Sequence, residues 1–136
     1  MKVEQVKTAH QVSALLSEAR LIKGFRSFKE DGCHGRELFN ERLVYTARDA
    51  KSLKAVALVN EESYHLPGYM GIGLIEFCQA SSNPEVATKI IHHIFMVAKS
   101  LGKGVRNTSL DRNEKWLKPI FESVASQFPT VVFVQA

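Results

Sequence analysis

Residues 68–102 read GYMGIGLIEFCQASSNPEVATKIIHHIFMVAKSLG, and three successive signals in them decide the fold. Residues 68–80 are apolar and nearly continuous, the pattern of a strand covered on both faces. Residues 81–85 carry a helix start. Ser82 or Asn83 can cap, Pro84 suits the first helical position, and Glu85 can close a capping box with Ser82. The remainder has a helical period. Val86, Ile90, Ile94, Val97 and Leu101 form one stripe, and Ile91, Phe95 and Ala98 widen it. Gly102 is the C-cap candidate. A strand running into a helix N-terminus brings unpaired N–H groups and the positive end of the helix dipole together, an arrangement suited to an anion. No glycine-rich loop stands at this helix start.

Outward from this unit, the sequence alternates between the two periods. Val3 and Val6 mark a short first strand. A helix over residues 10–22, capped by Thr8, comes next, with Val12, Leu15, Leu16, Ala19 and Ile22 on one face. Residues 23–35 (KGFRSFKEDGCHG) hold three glycines and mixed charge, and read as a loop or broken helix. Residues 36–41 are a candidate second short helix. Residues 43–48 and 54–60 are β-branched and aromatic, with a short turn between them, and predict an antiparallel hairpin. After the central unit, residues 105–110 predict a strand parallel to the central one, joined by a right-handed crossover. A helix over residues 114–124 comes after it, capped by Asp111 or Asn113. Pro119 lies inside that span and predicts a kink or an early break. Residues 130–135 (TVVFVQ) are the last strand. Repeats and low-complexity segments are absent from the sequence.

The chain has 136 residues, 45% hydrophobic and 24% charged. That predicts one domain over residues 1–136, long enough to bury a core without disulfides or a structural metal. No apolar run is long enough to span a bilayer, and the first residues lack the apolar core of a signal peptide. Cys33 and Cys78 have no metal-site spacing, so no metal is expected and a cytoplasmic setting is favoured. The formal charge of +4 is too mild to demand nucleic acid. Lys99, Lys103, Arg106, Arg112, Lys115 and Lys118 make the later part basic. They suit an anionic group, or simply a solvated face.

The order of elements, carried locally by GLIEFCQASSNPEVATKIIHHIFMVAKSLG and TSLDRNEKWLKPIFESVASQF, resembles the GNAT superfamily of N-acetyltransferases. The resemblance covers most of the chain. It implies an α/β (α+β) fold, a mixed and twisted sheet with helices on both faces. It also implies acetyl-CoA held between the central strand and the following helix, with the pyrophosphate on a loop of the form R/Q-x-x-G-x-G/A. Aligned from the helix end, that loop falls on residues 82–87. Ala87 matches its last position. Ser82 replaces the Arg or Gln, and Glu85 replaces the first glycine, adding a side chain and a negative charge where a backbone would approach a phosphate. Pro84 removes one donor. The cofactor positions so implied are Cys78, Gln79, Ala80, Ser82, Ala87, Thr88 and Asn113, with amides of residues 78–80 holding the thioester carbonyl. Asn113 fits the family's Asn. The Tyr expected seven residues later falls on Ile120, which has no proton to give.

Glu76 is the candidate general base, on the same strand face as Leu74 and Cys78 by alternation. Its plainer reading is a carboxylate paired near a strand end. His92 and His93 point about 100° apart and cannot form an i, i+4 metal pair; His92 is expected at the solvent. His34 beside Cys33 is adjacency without arrangement. Trp116 reads as a core anchor or, if exposed, an interface residue.

The sequence therefore supports a GNAT-like domain with a degraded acetyl-CoA site, serving as a non-catalytic binding or structural protein. The alternative is an active N-acetyltransferase acting on an amine. The partner is a small-molecule amine or another protein; nucleic acid ranks last, and no membrane is implied. Small GNAT-like proteins encoded by tailed phages resemble this pattern; the expected setting is the cytoplasm, or a virion if the chain is phage-encoded.

Overall fold

The computed structural model describes residues 1–28, 42–79, 84–108 and 115–135. Among these, six strands form one mixed sheet in sequence order: β1 (Lys2–Val6), β2 (Leu43–Asp49), β3 (Ser52–Asn60), β4 (Tyr69–Phe77), β5 (Gly104–Asn107) and β6 (Phe133–Gln135). The first four pair antiparallel, while β4, β5 and β6 run parallel. The helices are α1 (Ala9–Ala19), α2 (Pro84–Leu101) and α3 (Leu117–Ser126).

Each start and stop has a local cause. The Thr8 hydroxyl accepts from the Gln11 N–H at 3.1 Å, and the Gln11 side chain returns an acceptor to the Thr8 N–H at 3.2 Å, a complete capping box at α1. That helix stops three residues short of the expected Ile22. The N–H groups of Leu21 and Ile22 turn back to Glu18 and Ala19 in a tightened last turn, and Gly24 then takes φ +109°. A 3-10 turn, Arg26–Phe28, comes next and buries Phe25 and Phe28. In α2 the inward face is Val86, Ala87, Ile90, Ile91, Ile94, Phe95 and Ala98. Leu101, expected on the stripe, is 45% exposed, because the apolar face ends one turn earlier. Gly102, at φ +68°, ends α2 with Lys103 N–H donating to Ala98 and Gly102 N–H to Lys99, the paired closure that a left-handed residue permits.

The expected kink at Pro119 does not occur. α3 begins only at Leu117, so Pro119 sits in the first turn, where its missing N–H would have had no intrahelical partner. The expected short helix over residues 36–41 and the capping residues Ser82, Asn83, Asp111 and Asn113 lie outside the described residues.

Two apolar cores flank the sheet. One joins α2 and α3 to Tyr45, Ala57, Met70, Ile72, Ile75 and Phe77. The other joins α1 and the 3-10 turn to Val44, Val56, Leu58, Leu74 and Cys78. A bulge makes this division along β4. Leu58 pairs with Leu74 but Val59 with Ile72, leaving Gly73 as the extra residue. The extra residue reverses the alternation, so Met70 and Ile72 face α2 while Leu74, Glu76 and Cys78 face α1. A two-pronged ion pair, Arg48 to Glu18 at 2.8 and 2.5 Å, ties α1 to β2.

Candidate functional site

β5 pairs along its whole length, but with only the first part of β4. Their register runs from Tyr69–Gly104 to Ile72–Asn107, and the Ile72 carbonyl then accepts from both the N–H and the hydroxyl of Thr108, at 2.9 and 2.6 Å. β4 continues to Phe77 with no further β5 pair among the described residues. α2 begins at residue 84, a short connection after β4 ends. Among the described residues, the β4 edge beyond Ile72 has no β5 partner, and the strand leads toward a helix N-terminus. Cys78 N–H donates to Lys54 on β3 at 3.0 Å. By alternation from there, Glu76 and Leu74 turn their main-chain groups to β3, and Ile75, Phe77 and Gln79 turn theirs to the opposite edge.

The far end of that edge is covered by the chain itself. The Gln79 N–H donates to the Lys23 carbonyl at 2.7 Å. Gly24 lies so close that a Cβ there would overlap the Phe77 carbonyl oxygen and sit 2.7 Å from the Gln79 nitrogen. Ile22, Lys23, Cys78 and Gln79 line a cleft of about 340 Å³ beside this contact.

Glu76 occupies the face expected of it. Its carboxylate accepts from the Ser27 N–H at 3.1 Å and from the Ser27 hydroxyl at 3.0 Å, so it holds the 3-10 turn to β4. The thiol of Cys78 is buried in the α1 core. Ala87 is buried against the sheet, and the Thr88 hydroxyl donates to the Pro84 carbonyl at 2.7 Å. Pro84 takes the first helical position and Glu85 is exposed in the first turn. Ala80, Ser82 and Asn113 lie outside the described residues, as do Cys33, His34 and Arg112. The structure thus brings Glu76, Cys78 and Gln79 to one strand end, with Ala87 and Thr88 in the first turns of the next helix.

Other candidates resolve into packing. His92 is half-buried with its ring edge-on to Phe128 at 5.0 Å, and not at the solvent as its place beside Lys89 suggested. His93 meets Tyr45 at 5.2 Å. Burial, then the neighbouring His92, holds the His93 imidazole below its ordinary value. Burial, then Glu61, raises the Tyr45 phenol. Trp116 anchors the start of α3 against Phe77, 5.3 Å between ring centres. Ile120 packs on the same core. Lys103 is tied to Glu62 at 2.9 Å and to the Glu61 carbonyl; Lys99, Lys115 and Lys118 are exposed.

Sequence reasoning passed over Lys23, Gly24 and Ser27. The available signal was Phe25 and Phe28, whose spacing of three aligns two rings on one side of a 3-10 turn.

No known protein-family profile matches the chain, and no curated protein matches it in sequence. Solved structures do. A probable acetyltransferase superposes with TM-score 0.67 at 14% identity, over 91% of this chain and 88% of that one. A probable acetyltransferase from Staphylococcus epidermidis ATCC 12228 gives 0.65 at 13%, over 90% and 81%. A transcriptional regulator from Bacillus halodurans C-125 gives 0.60 at 10%, over 93% and 90%. The fold is GNAT-like. The mixed sheet with helices on both faces is the architecture these neighbours share. Among the described residues no cluster of three or more His, Cys, Asp or Glu is placed to hold a metal ion. No described helix is long and apolar enough to cross a membrane.

Proposed function

We propose that this GNAT-like domain has a degraded acetyl-CoA site and works by binding another molecule, most simply a protein partner, without acetyl transfer. One observation carries the reading. The amides of Cys78 and Gln79, which the resemblance assigns to the thioester carbonyl, already donate to the Lys54 and Lys23 carbonyls. A thioester oxygen needs a donor aimed at it and free of other bonds. Two further departures agree. Glu85 places a carboxylate in the first turn of α2, against any pyrophosphate drawn there by the helix dipole. Ile120, in the position of the proton-donating Tyr, is a packed hydrocarbon.

The active-enzyme reading draws on the lack of a β5 partner for β4 beyond Ile72 among the described residues. Calorimetric titration with CoA and acetyl-CoA at low salt, on the wild type and on Glu85→Gly, separates the two. The expected result is no binding by either protein at millimolar ligand. Binding that tightens about fivefold in Glu85→Gly, the worth of roughly 1 kcal/mol of removed repulsion, establishes a working cofactor site and overturns the proposal.

A further inference from the structure

We infer that Glu76 is the latch of an autoinhibitory strap, in which Lys23 and Gly24 close the ligand-pairing edge of β4 for as long as the Glu76 carboxylate holds Ser27. The inference rests on the proposed function in one respect, that the bond from Gln79 N–H to Lys23 withholds this amide from a ligand.

The strap is the short link, Lys23 and Gly24, between the end of the α1 turn and the buried Phe25. Its pairing groups are main-chain. Lys23 supplies an acceptor to the Gln79 N–H, and Gly24 lies against the Phe77 carbonyl. An N–H of residue 79 and a C=O of residue 77 on one strand edge are the two groups that an extended amide, of a peptide or of a pantetheine arm, would use. The strap imitates such a ligand. Being covalently attached, it competes at high effective concentration.

The adjoining 3-10 turn keeps the strap closed. Ser27 is two residues beyond Phe25, in the turn Arg26–Phe28, and Glu76 takes both its N–H and its hydroxyl. A carboxylate accepting two such bonds is a strong tether. Glu76 is on β4 itself, one residue from Phe77, so the tether and the closed edge share one strand. Release of Ser27 frees the turn on its β4 side. Phe25 and Phe28 still hold the segment through the α1 core, and the Arg20 side chain donates to the Phe28 carbonyl at 3.2 Å. A molecule competing for the Glu76 carboxylate, such as a cationic amine, would open the edge by the same route.

Amide hydrogen exchange on the wild type, Glu76→Ala and Ser27→Ala tests the latch. Exchange of the Gln79 amide is expected to be at least about tenfold faster in Glu76→Ala, with a smaller rise in Ser27→Ala, which keeps the backbone bond. Ile91 and Ile94 in α2 serve as references and should be unchanged. An unchanged Gln79 rate overturns the latch. So does acceleration of Gln79 and both references by one common factor, which would mean global loosening. Should Glu76→Ala fail to fold, Ser27→Ala decides by the same criterion. Titration with CoA tests the consequence. A variant with accelerated Gln79 exchange should bind CoA measurably at millimolar ligand, where the wild type does not. No gain in such a variant refutes the edge as a pairing site while leaving the latch intact. Tight binding by the wild type refutes the proposed function instead.

Discussion

Gly24→Ala tests the geometry on which the closed edge depends. Gly24 has φ +109°, a region that residues with a Cβ enter at a cost of about 1–3 kcal/mol. The added methyl would overlap the Phe77 carbonyl oxygen and lie 2.7 Å from the Gln79 nitrogen and 3.0 Å from the Cys78 carbonyl carbon. All three are backbone atoms at the end of β4, so no side chain can rotate away. The strap must lift, and the bond from Gln79 N–H to Lys23 is lost, about 1 kcal/mol more. Phe25 is the next residue and is wholly buried, so any lift also disturbs its packing. A loss of about 3 kcal/mol is expected, a large part of the roughly 5–15 kcal/mol of a typical domain. Urea denaturation monitored by circular dichroism measures it, with a midpoint in thermal scans lower by about 10 °C. A loss below about 1 kcal/mol would show that residue 24 is free of the β4 edge, and the closed-edge account would fail with it.

Ile94 is fully buried in the α2 core, so Ile94→Asp puts a carboxylate among hydrocarbons and should leave little folded protein; a melting temperature within about 2 °C of the wild type contradicts the assigned face. His93 provides a pH test. Its imidazole is held below the ordinary value by burial and by His92, so the unfolded chain binds the proton more readily. The stability it contributes is present above the unfolded value of about 6.5 and is lost as pH falls through the folded one. Urea midpoints between about pH 7.5 and 5 should fall less steeply in His93→Leu than in the wild type, and equal slopes would exclude His93 as a source of acid sensitivity.

What the sequence determined by itself was everything encoded within a few residues. The Thr8 cap, the β2–β3 hairpin and the stop of α2 at Gly102 rest on contacts between near neighbours in the chain, and the inward face of α2 shows in the helical spacing of its apolar residues, so composition and spacing suffice to place them. Where a local rule met an uncertain boundary, as at Pro119, the reading failed by a few residues, because the same proline breaks a helix interior and suits its first turn. The candidate site was legible only as a location, the end of β4 before α2. Its chemistry was decided by tertiary structure. The bulge at Gly73 depends on how β3 pairs with β4, and one extra residue transfers Glu76 from the side of Met70 and Ile72 to the side of α1. There its carboxylate meets Ser27, 49 positions away in sequence, and Lys23 meets Gln79 across a similar separation. Such pairings depend on which surfaces the two cores bring together, and no spacing in the chain records them.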